Sequence, residues 1–205
     1  MEKRPVLLIA CGALANETIA VMEKSGFDGF TIQCLPAKLH NRPALIPAAL
    51  RAKIEEEKAN FDKIFVLYGD CGTGGDIDKV LAETGTERIS GAHCYEFYAT
   101  TPVFEQITEE EACTYYLTDF LVDHFDRLVI EGLGLDRFPD LLPMYFGNYV
   151  RVLYMAQAPT PARIEAAKAA AERLNLKFEM TDTGYGELEK AILRQVPVAA
   201  AAPTV

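Results

Sequence analysis

Three of the five cysteines occupy the same kind of position, just past a short apolar run and beside glycine or histidine. Val6–Ala10 runs into Cys11-Gly12, Lys63–Tyr68 into Gly69-Asp70-Cys71-Gly72, and Arg88–Ala92 into His93-Cys94. If these runs are parallel strands, all three thiols emerge at the carboxyl edge of one sheet, where open α/β sheets bind ligands. Thiolates are soft ligands that favour zinc, copper(I) and iron–sulfur clusters. Three of them leave one coordination position open, as in catalytic zinc sites or on one iron of a four-iron cluster. Cys11, Cys71 and Cys94 are therefore the expected metal ligands. The expected cofactor is an iron–sulfur cluster, a four-iron one foremost, or zinc. Cys34, before Leu35-Pro36, is a weaker fourth candidate, and Cys113 in Glu111–Tyr116 reads as packing.

Other residue types gather at the same strand ends. Gly12, Gly72 and Gly74 permit close backbone approach to a bulky inorganic group and are assigned to cofactor binding. The run Gly72-Thr73-Gly74-Gly75 resembles a phosphate-cradling loop before a helix. It lacks both the Gly-Lys-Ser/Thr ending and the G-x-G-x-x-G order, so nucleotide binding is not expected. His93 could ligate, move protons or donate to a cluster sulfur. Adjacent strand residues face opposite ways, so His93 joins Cys94 as a ligand only if the strand has already ended. Asp70, in a loop that is otherwise mostly glycine, is the candidate general base. Glu17, one to two helical turns past Cys11, could do the same or contact substrate. The loop Lys38-Leu39-His40-Asn41-Arg42-Pro43 places two cations and an imidazole at the same edge, so Lys38, His40 and Arg42 are candidate binders of a carboxylate or phosphate. Tyr95, Phe97, Tyr98, Tyr145, Phe146 and Tyr149 read as core more readily than as pocket walls.

Holding these groups in place requires alternating strands and helices. Val6–Ala10, Phe30–Leu35, Ile64–Tyr68 and Ile89–Ala92 read as strands; Ala13–Lys24, Ala48–Asn60 and Ile77–Thr84 read as the helices between them. Continuous apolar strands joined by helices imply βαβ crossovers and a mostly parallel sheet flanked by helices. Thr108-Glu109-Glu110-Glu111 looks like the acidic cap of a helical region through Leu133, and Phe138–Tyr145 like an ordered aromatic loop or short helix. Val150–Met155, Pro161–Leu174, Lys177–Met180 and Glu187–Arg194 then resume the strand–helix pattern. The expectation is one α/β domain over residues 1–196, with a helical insertion around 108–147 and a flexible tail over 197–205.

Net charge of −10 leaves no general basic face for nucleic acid or an anionic membrane. No apolar run approaches the roughly 20 residues of a membrane span, and the start of the chain does not read as a signal peptide. The expected compartment is the cytoplasm, where cysteines stay reduced and clustered ones serve metals or catalysis.

The blocks Cys11-Gly12-Ala13-Leu14 with Glu17, Leu35–Pro43, Tyr68–Gly75 and Gly91–Tyr95 together resemble a bacterial and archaeal family known as domain of unknown function sixteen thirty-eight. The resemblance covers most of residues 5–195. It implies a setting beside corrinoid-dependent methyltransferases and hence one-carbon or methylamine metabolism, with a corrinoid as a further cofactor and a corrinoid protein or methyltransferase as a partner. It names no reaction. The expectation is a metal- or cluster-dependent lyase, hydrolase or methyl-transfer enzyme acting on a small polar metabolite. Two alternatives stand beside it: an accessory carrier for such a methyltransferase, and a metal-free enzyme with Cys71 as nucleophile and His93 as base.

Overall fold

The computed structural model of the chain describes residues 4–197. Its contacts divide the chain into two compact units, residues Met1–Phe97 with Tyr185–Val205, and Tyr98–Gly184. Each carries its own parallel sheet. The expected class, a parallel α/β fold flanked by helices, is what the chain adopts, but its strands form two sheets rather than one.

In the first unit, β1 (Arg4–Cys11) is followed by a 3-10 turn over Gly12–Leu14 and by α1 (Ala15–Ser25). Then come β2 (Phe30–Leu35), 3-10 turns over Ala37–Asn41 and Pro43–Leu45, and α2 (Ile46–Glu57). The order continues with β3 (Phe61–Leu67), α3 (Asp76–Thr84), β4 (Glu87–Arg88) and α4 (Cys94–Tyr98), and the unit is completed by α9 (Gly186–Leu193). The sheet order is β2-β1-β3-β4. Val6–Ala10 are at most 1% exposed, as a central strand covered on both faces must be. On α2 the buried residues Ile46, Leu50 and Ile54 recur every four positions and form one apolar stripe. Because β1 pairs in parallel with both β2 and β3, the chain steps one way from β1 to β2 and the other way from β2 to β3. The gap between the ends of β1 and β3 is thus the topological switch point, where such sheets open a crevice.

The second unit contains α5 (Thr101–Glu110), β5 (Thr114–Leu117), α6 (Asp119–Asp123), a π-helical turn over Asp126–Ile130, α7 (Leu142–Phe146), β6 (Arg151–Ala156), α8 (Pro161–Arg173) and β7 (Lys177–Asp182). The sheet order β5-β6-β7 follows the sequence without reversal. Ala167, Ala170 and Ala171 of α8 join Leu117, Val152 and Tyr154 in its core.

Two element expectations change. The long helix expected from Thr108 to Leu133 is broken by extended Glu111 (φ −155°, ψ 99°) into α5, β5 and shorter turns. The β-branched and aromatic run Thr114-Tyr115-Tyr116-Leu117 pairs with β6, as such residues favour. Glu109 and Glu110 therefore end α5 rather than cap a helix start. The strand expected at Ile89–Ala92 is shorter and earlier, at Glu87–Arg88, because the chain turns through Gly91 (φ +141°). Past Pro197, the expected tail lies outside the described residues.

Candidate functional site

All the expected site residues belong to the first unit. Cys11 is the last residue of β1, and its thiol is 1% exposed. The Ala13 N–H donates to its sulfur at 3.4 Å, and the Nδ1 of His40 lies 3.6 Å from it. This proximity follows from Gly12, where a Cβ would stand 3.2 Å from both the Ala37 nitrogen and the Leu35 carbonyl oxygen. Only a residue without a side chain lets the turn after β1 press that closely on the loop after β2. Gly12 thus sets a backbone contact within the protein.

The loop after β3 is built the same way. A Cβ on Gly69 would meet His93 backbone atoms and the Ala92 oxygen at 3.1 Å. The Asp70 N–H donates to the Gly91 carbonyl at 3.2 Å and the Cys71 N–H to that of Ala92 at 2.9 Å. The Arg88 guanidinium completes the clamp. Its Nη1 donates to the carbonyls of Tyr68, Ile89 and Gly91 at 3.4, 2.9 and 3.1 Å, while Nε and Nη2 grip Asp78 at 2.6 and 3.0 Å. Arg88 is therefore what holds the Cys71 and Cys94 loops in register. It was not among the expected residues, although it is a cation at the end of a strand that leads into His93-Cys94.

Cys11 ends β1, Cys71 lies in the loop after β3, and Cys94 opens α4. Burial, the largest influence on each, pushes the Cys11 thiol up to about 11, the Cys94 thiol well above its usual value, and the Cys71 thiol upward. Ionisation of Cys71 or Cys11 would raise Cys94 further, and that of Cys71 would raise Cys11. Backbone N–H groups of Gly69 and Cys94 favour the Cys71 thiolate, and those of Cys94 and Tyr95 favour the Cys94 thiolate. Cys94 opens α4, so the strand has ended before His93-Cys94. Among the described residues, no three or more His, Cys, Asp and Glu side chains stand together in a metal-holding arrangement. Cys34 and Cys113 are exposed, and Cys113 belongs to the second unit.

Tyr68, which the sequence did not single out as a site residue, sits at the centre. It directly follows β3 at the switch point and is fully buried. Its ring stacks on His40 with centroids 6.2 Å apart. Its hydroxyl has no conventional partner and is acted on by the Cys11, Cys71 and Cys34 thiols. Burial is the main reason that its own ionisation is pushed far up.

Asp70 is engaged by its own loop. Its carboxylate accepts from the Thr73 hydroxyl at 2.8 Å, the Gly75 N–H at 2.7 Å and the Gly74 N–H at 3.1 Å. Those bonds, with one from the Gly72 N–H, hold its carboxyl below the usual range. A carboxylate so engaged is a weak base. The glycine run that resembles a phosphate loop is closed on the protein's own anion, which also occupies the N–H groups of Gly72 and Gly74 assigned to a cofactor.

His40 is half-buried, and its Nδ1 lies 3.2 Å from the Ala37 carbonyl oxygen. Burial lowers its pKa, the Ala37 contact opposes this, and the neighbouring His93 adds to the lowering. Lys38 and Arg42 flank it and are exposed. His93 is exposed at the end of the adjoining loop, and Glu17 is buried in the first turn of α1.

A protein-family model described as protein of unknown function, DUF1638, matches residues 34–192. The chain belongs to this family. The DUF1638 match takes in Lys38, His40, Arg42, Asp70, Cys71, His93 and Cys94, and it begins after Cys11 and Glu17. No curated protein matches the chain.

Proposed function

We propose that this DUF1638 protein binds a metal ion or an iron–sulfur cluster through Cys11, Cys71 and Cys94 and acts there on a small anionic metabolite drawn in by Lys38 and Arg42. The observation that carries the reading is the placement of Cys11 at the end of β1, and of Cys71 and Cys94 in adjoining segments tied by the Cys71 N–H to Ala92 bond, beside a buried Tyr68 hydroxyl with no conventional partner. Scattered core cysteines would have no reason to select strand ends on either side of the one crevice the topology creates. Backbone N–H groups aimed at the sulfurs suit thiolates, and a bound cation offsets the burial that keeps the thiols protonated. Metal entry would draw the sulfurs together and release their protons to solvent. The one-carbon setting implied by the resemblance is where the substrate would be sought.

A metal-free thiol enzyme is the second reading, favoured by the 3.6 Å contact between Cys11 and His40. Here the base would be His40 acting on Cys11. Against it, Cys11 is buried and its thiol is pushed up to about 11, whereas nucleophilic thiols are lowered.

Elemental and sulfide analysis of protein purified without oxygen tests the proposal. Cys11→Ser, Cys71→Ser and Cys94→Ser should each lose most of the metal, because serine is a poor soft-metal ligand. Cys113→Ser should retain it. Equal retention by all four variants would overturn the ligand assignment, and a metal-free wild type would leave the thiol enzyme.

A further inference from the structure

The second sheet ends in a strand with an unpaired side. β7 (Lys177–Asp182) pairs in parallel with β6, and among the described residues no strand pairs with its other side. The Lys177 N–H donates to the Val150 carbonyl and the Thr183 N–H to that of Ala156, so the odd positions spend their backbone groups on β6. The even positions Phe178, Met180 and Asp182 then turn theirs outward. Lys177, Glu179, Met180 and Asp182 are exposed. Such an edge is a template for another strand, and proteins blunt it with proline, bulges, charges or a covering element. β7 has no proline and pairs with β6 without a break in register. Its charges are of both signs, so their spacing decides whether they repel or attract a second strand.

We propose that β7 pairs antiparallel with β7 of a second copy of this chain, about a two-fold axis at Phe178, joining two three-stranded sheets into one of six. A two-fold axis normal to a sheet leaves its faces unchanged, so opposed positions share parity and few registers exist. An axis at Glu179 sets two carboxylates directly opposite, which is repulsive. An axis at Met180 sets Phe178 against the partner's Asp182 carboxylate and gives Lys177 no opposite charge. The axis at Phe178 does better on every count. It sets Phe178 against its own copy, Lys177 against the partner's Glu179 at two equivalent places, and Leu176 against the partner's Met180. Aromatic and opposite-charge pairs are the cross-strand contacts that stabilise sheets. Arg151 already holds the Glu179 carboxylate at 2.5 Å, so the group that meets Lys177 is fixed in place. The outward backbone groups of Phe178 and Met180 are those that this register bonds. A strand pair alone is smaller than the roughly 1,000 Å² of a lasting interface, so the dimer forms and dissociates with protein concentration.

The test is sedimentation equilibrium of the full chain from micromolar to near-millimolar concentration. Reversible exchange between monomer and dimer is expected. Lys177→Glu sets like charges opposite at both places and should weaken dimerisation about tenfold or more, and Glu179→Lys should do the same. Mixed together, these two variants oppose unlike charges at both places and should dimerise again. Met180→Pro removes an N–H that β6 does not use, a change that edge strands tolerate. It should weaken dimerisation as strongly while the circular dichroism spectrum and unfolding midpoint stay near wild type. A wild type that is monomeric throughout, or a dimer that survives both Lys177→Glu and Met180→Pro, would overturn the proposal. A mixture of the two charge variants that stays monomeric would overturn the register at Phe178.

Discussion

The two sheets end in two different kinds of carboxyl edge. At the edge of β5-β6-β7 the buried Asp119 carboxylate is fully engaged. Its Oδ1 accepts from the Tyr154 hydroxyl at 2.7 Å and the Gln157 N–H at 3.1 Å, and its Oδ2 from the Ala158 N–H and Arg163 Nη1, both at 2.8 Å. Arg163 in turn grips Asp123 through Nε and Nη2 at 2.9 and 2.8 Å. At the edge of β2-β1-β3-β4 the buried polar atoms are weak hydrogen-bonding thiols and a hydroxyl without a conventional partner. Topology runs parallel to this contrast. The first sheet reverses direction between β1 and β3, while the second steps one way and opens no switch-point crevice. A buried edge whose polar groups satisfy one another serves as a lock. An edge built of thiols and one buried hydroxyl without a conventional partner can take a ligand.

The contrast is tested most severely at Asp119. Removing the Asp119 carboxylate costs about 3–5 kcal/mol, because the buried Tyr154 hydroxyl and the Gln157 and Ala158 N–H groups, each about 1–3 kcal/mol when left unsatisfied, lose their acceptor while Arg163 keeps Asp123. Asp119→Ala should lower the free energy of unfolding by that amount in urea titrations, while metal uptake by the protein that remains folded is unchanged. Asp119→Asn, which keeps one acceptor oxygen for either the Gln157 or the Ala158 N–H, should lose less. A cost below about 1 kcal/mol for Asp119→Ala would dissolve the distinction between lock and site.

The next largest effect belongs to the thiol edge and concerns pH. In the metal-free protein the Cys11 thiol is raised from 9.0 to about 11, chiefly by burial. The folded state therefore holds this proton more tightly than the unfolded state, and stability from it is complete below pH 9 and lost as pH rises toward 11. The loss is on the order of 2 kcal/mol. Cys11→Ser should flatten this part of the pH profile measured by chemical denaturation. A wild-type profile already flat between pH 9 and 11 would mean that the thiol is not held in its neutral form.

The parts of this arrangement that could be read from the sequence are those set by local pattern. Apolar runs ending in Cys11-Gly12 and Gly69–Gly72 give strand ends, and alternation with helices gives a parallel sheet, so the meeting of β1 and β3 at two thiols followed from pattern alone. The division into two sheets did not, because it depends on which strands pair, and nothing local distinguishes Arg151–Ala156 from a further strand of the first sheet. β5 was hidden by an acidic stretch that matches a helix start as well as a helix end, until Glu111 turns extended. The engagement of Asp70 by its own loop was not legible, because a carboxylate among glycines has one composition whether it faces substrate or its own backbone. His40, Tyr68 and Arg88 owe their places to contacts 10 or more residues distant in sequence as well as to local ones, Cys11 to His40 spanning 29.

The smallest effect compares two backbones. Among the described residues, the non-glycine positions with positive φ are Cys71 in the first unit, at 51°, and Asn175 in the second, at 57°. Asparagine tolerates this left-handed conformation because its short polar side chain bonds locally, whereas cysteine has no such help. Cys71 is thus a residue whose backbone favours glycine and whose place is explained by its thiol, as expected where strain collects at functional positions. In ordinary elements glycine is the more destabilising replacement, by about 0.5–1 kcal/mol relative to alanine. At position 71 the order should reverse. Both Cys71→Gly and Cys71→Ala remove the same sulfur contacts and should lose metal alike, but Cys71→Gly relieves the left-handed conformation and Cys71→Ala does not. In metal-free protein Cys71→Gly should therefore be the more stable of the two by about 0.5–1 kcal/mol in denaturant titrations. If Cys71→Ala proved equal or more stable, position 71 would carry no backbone strain, and the thiol edge would differ from the Asp119 edge in its side chains alone.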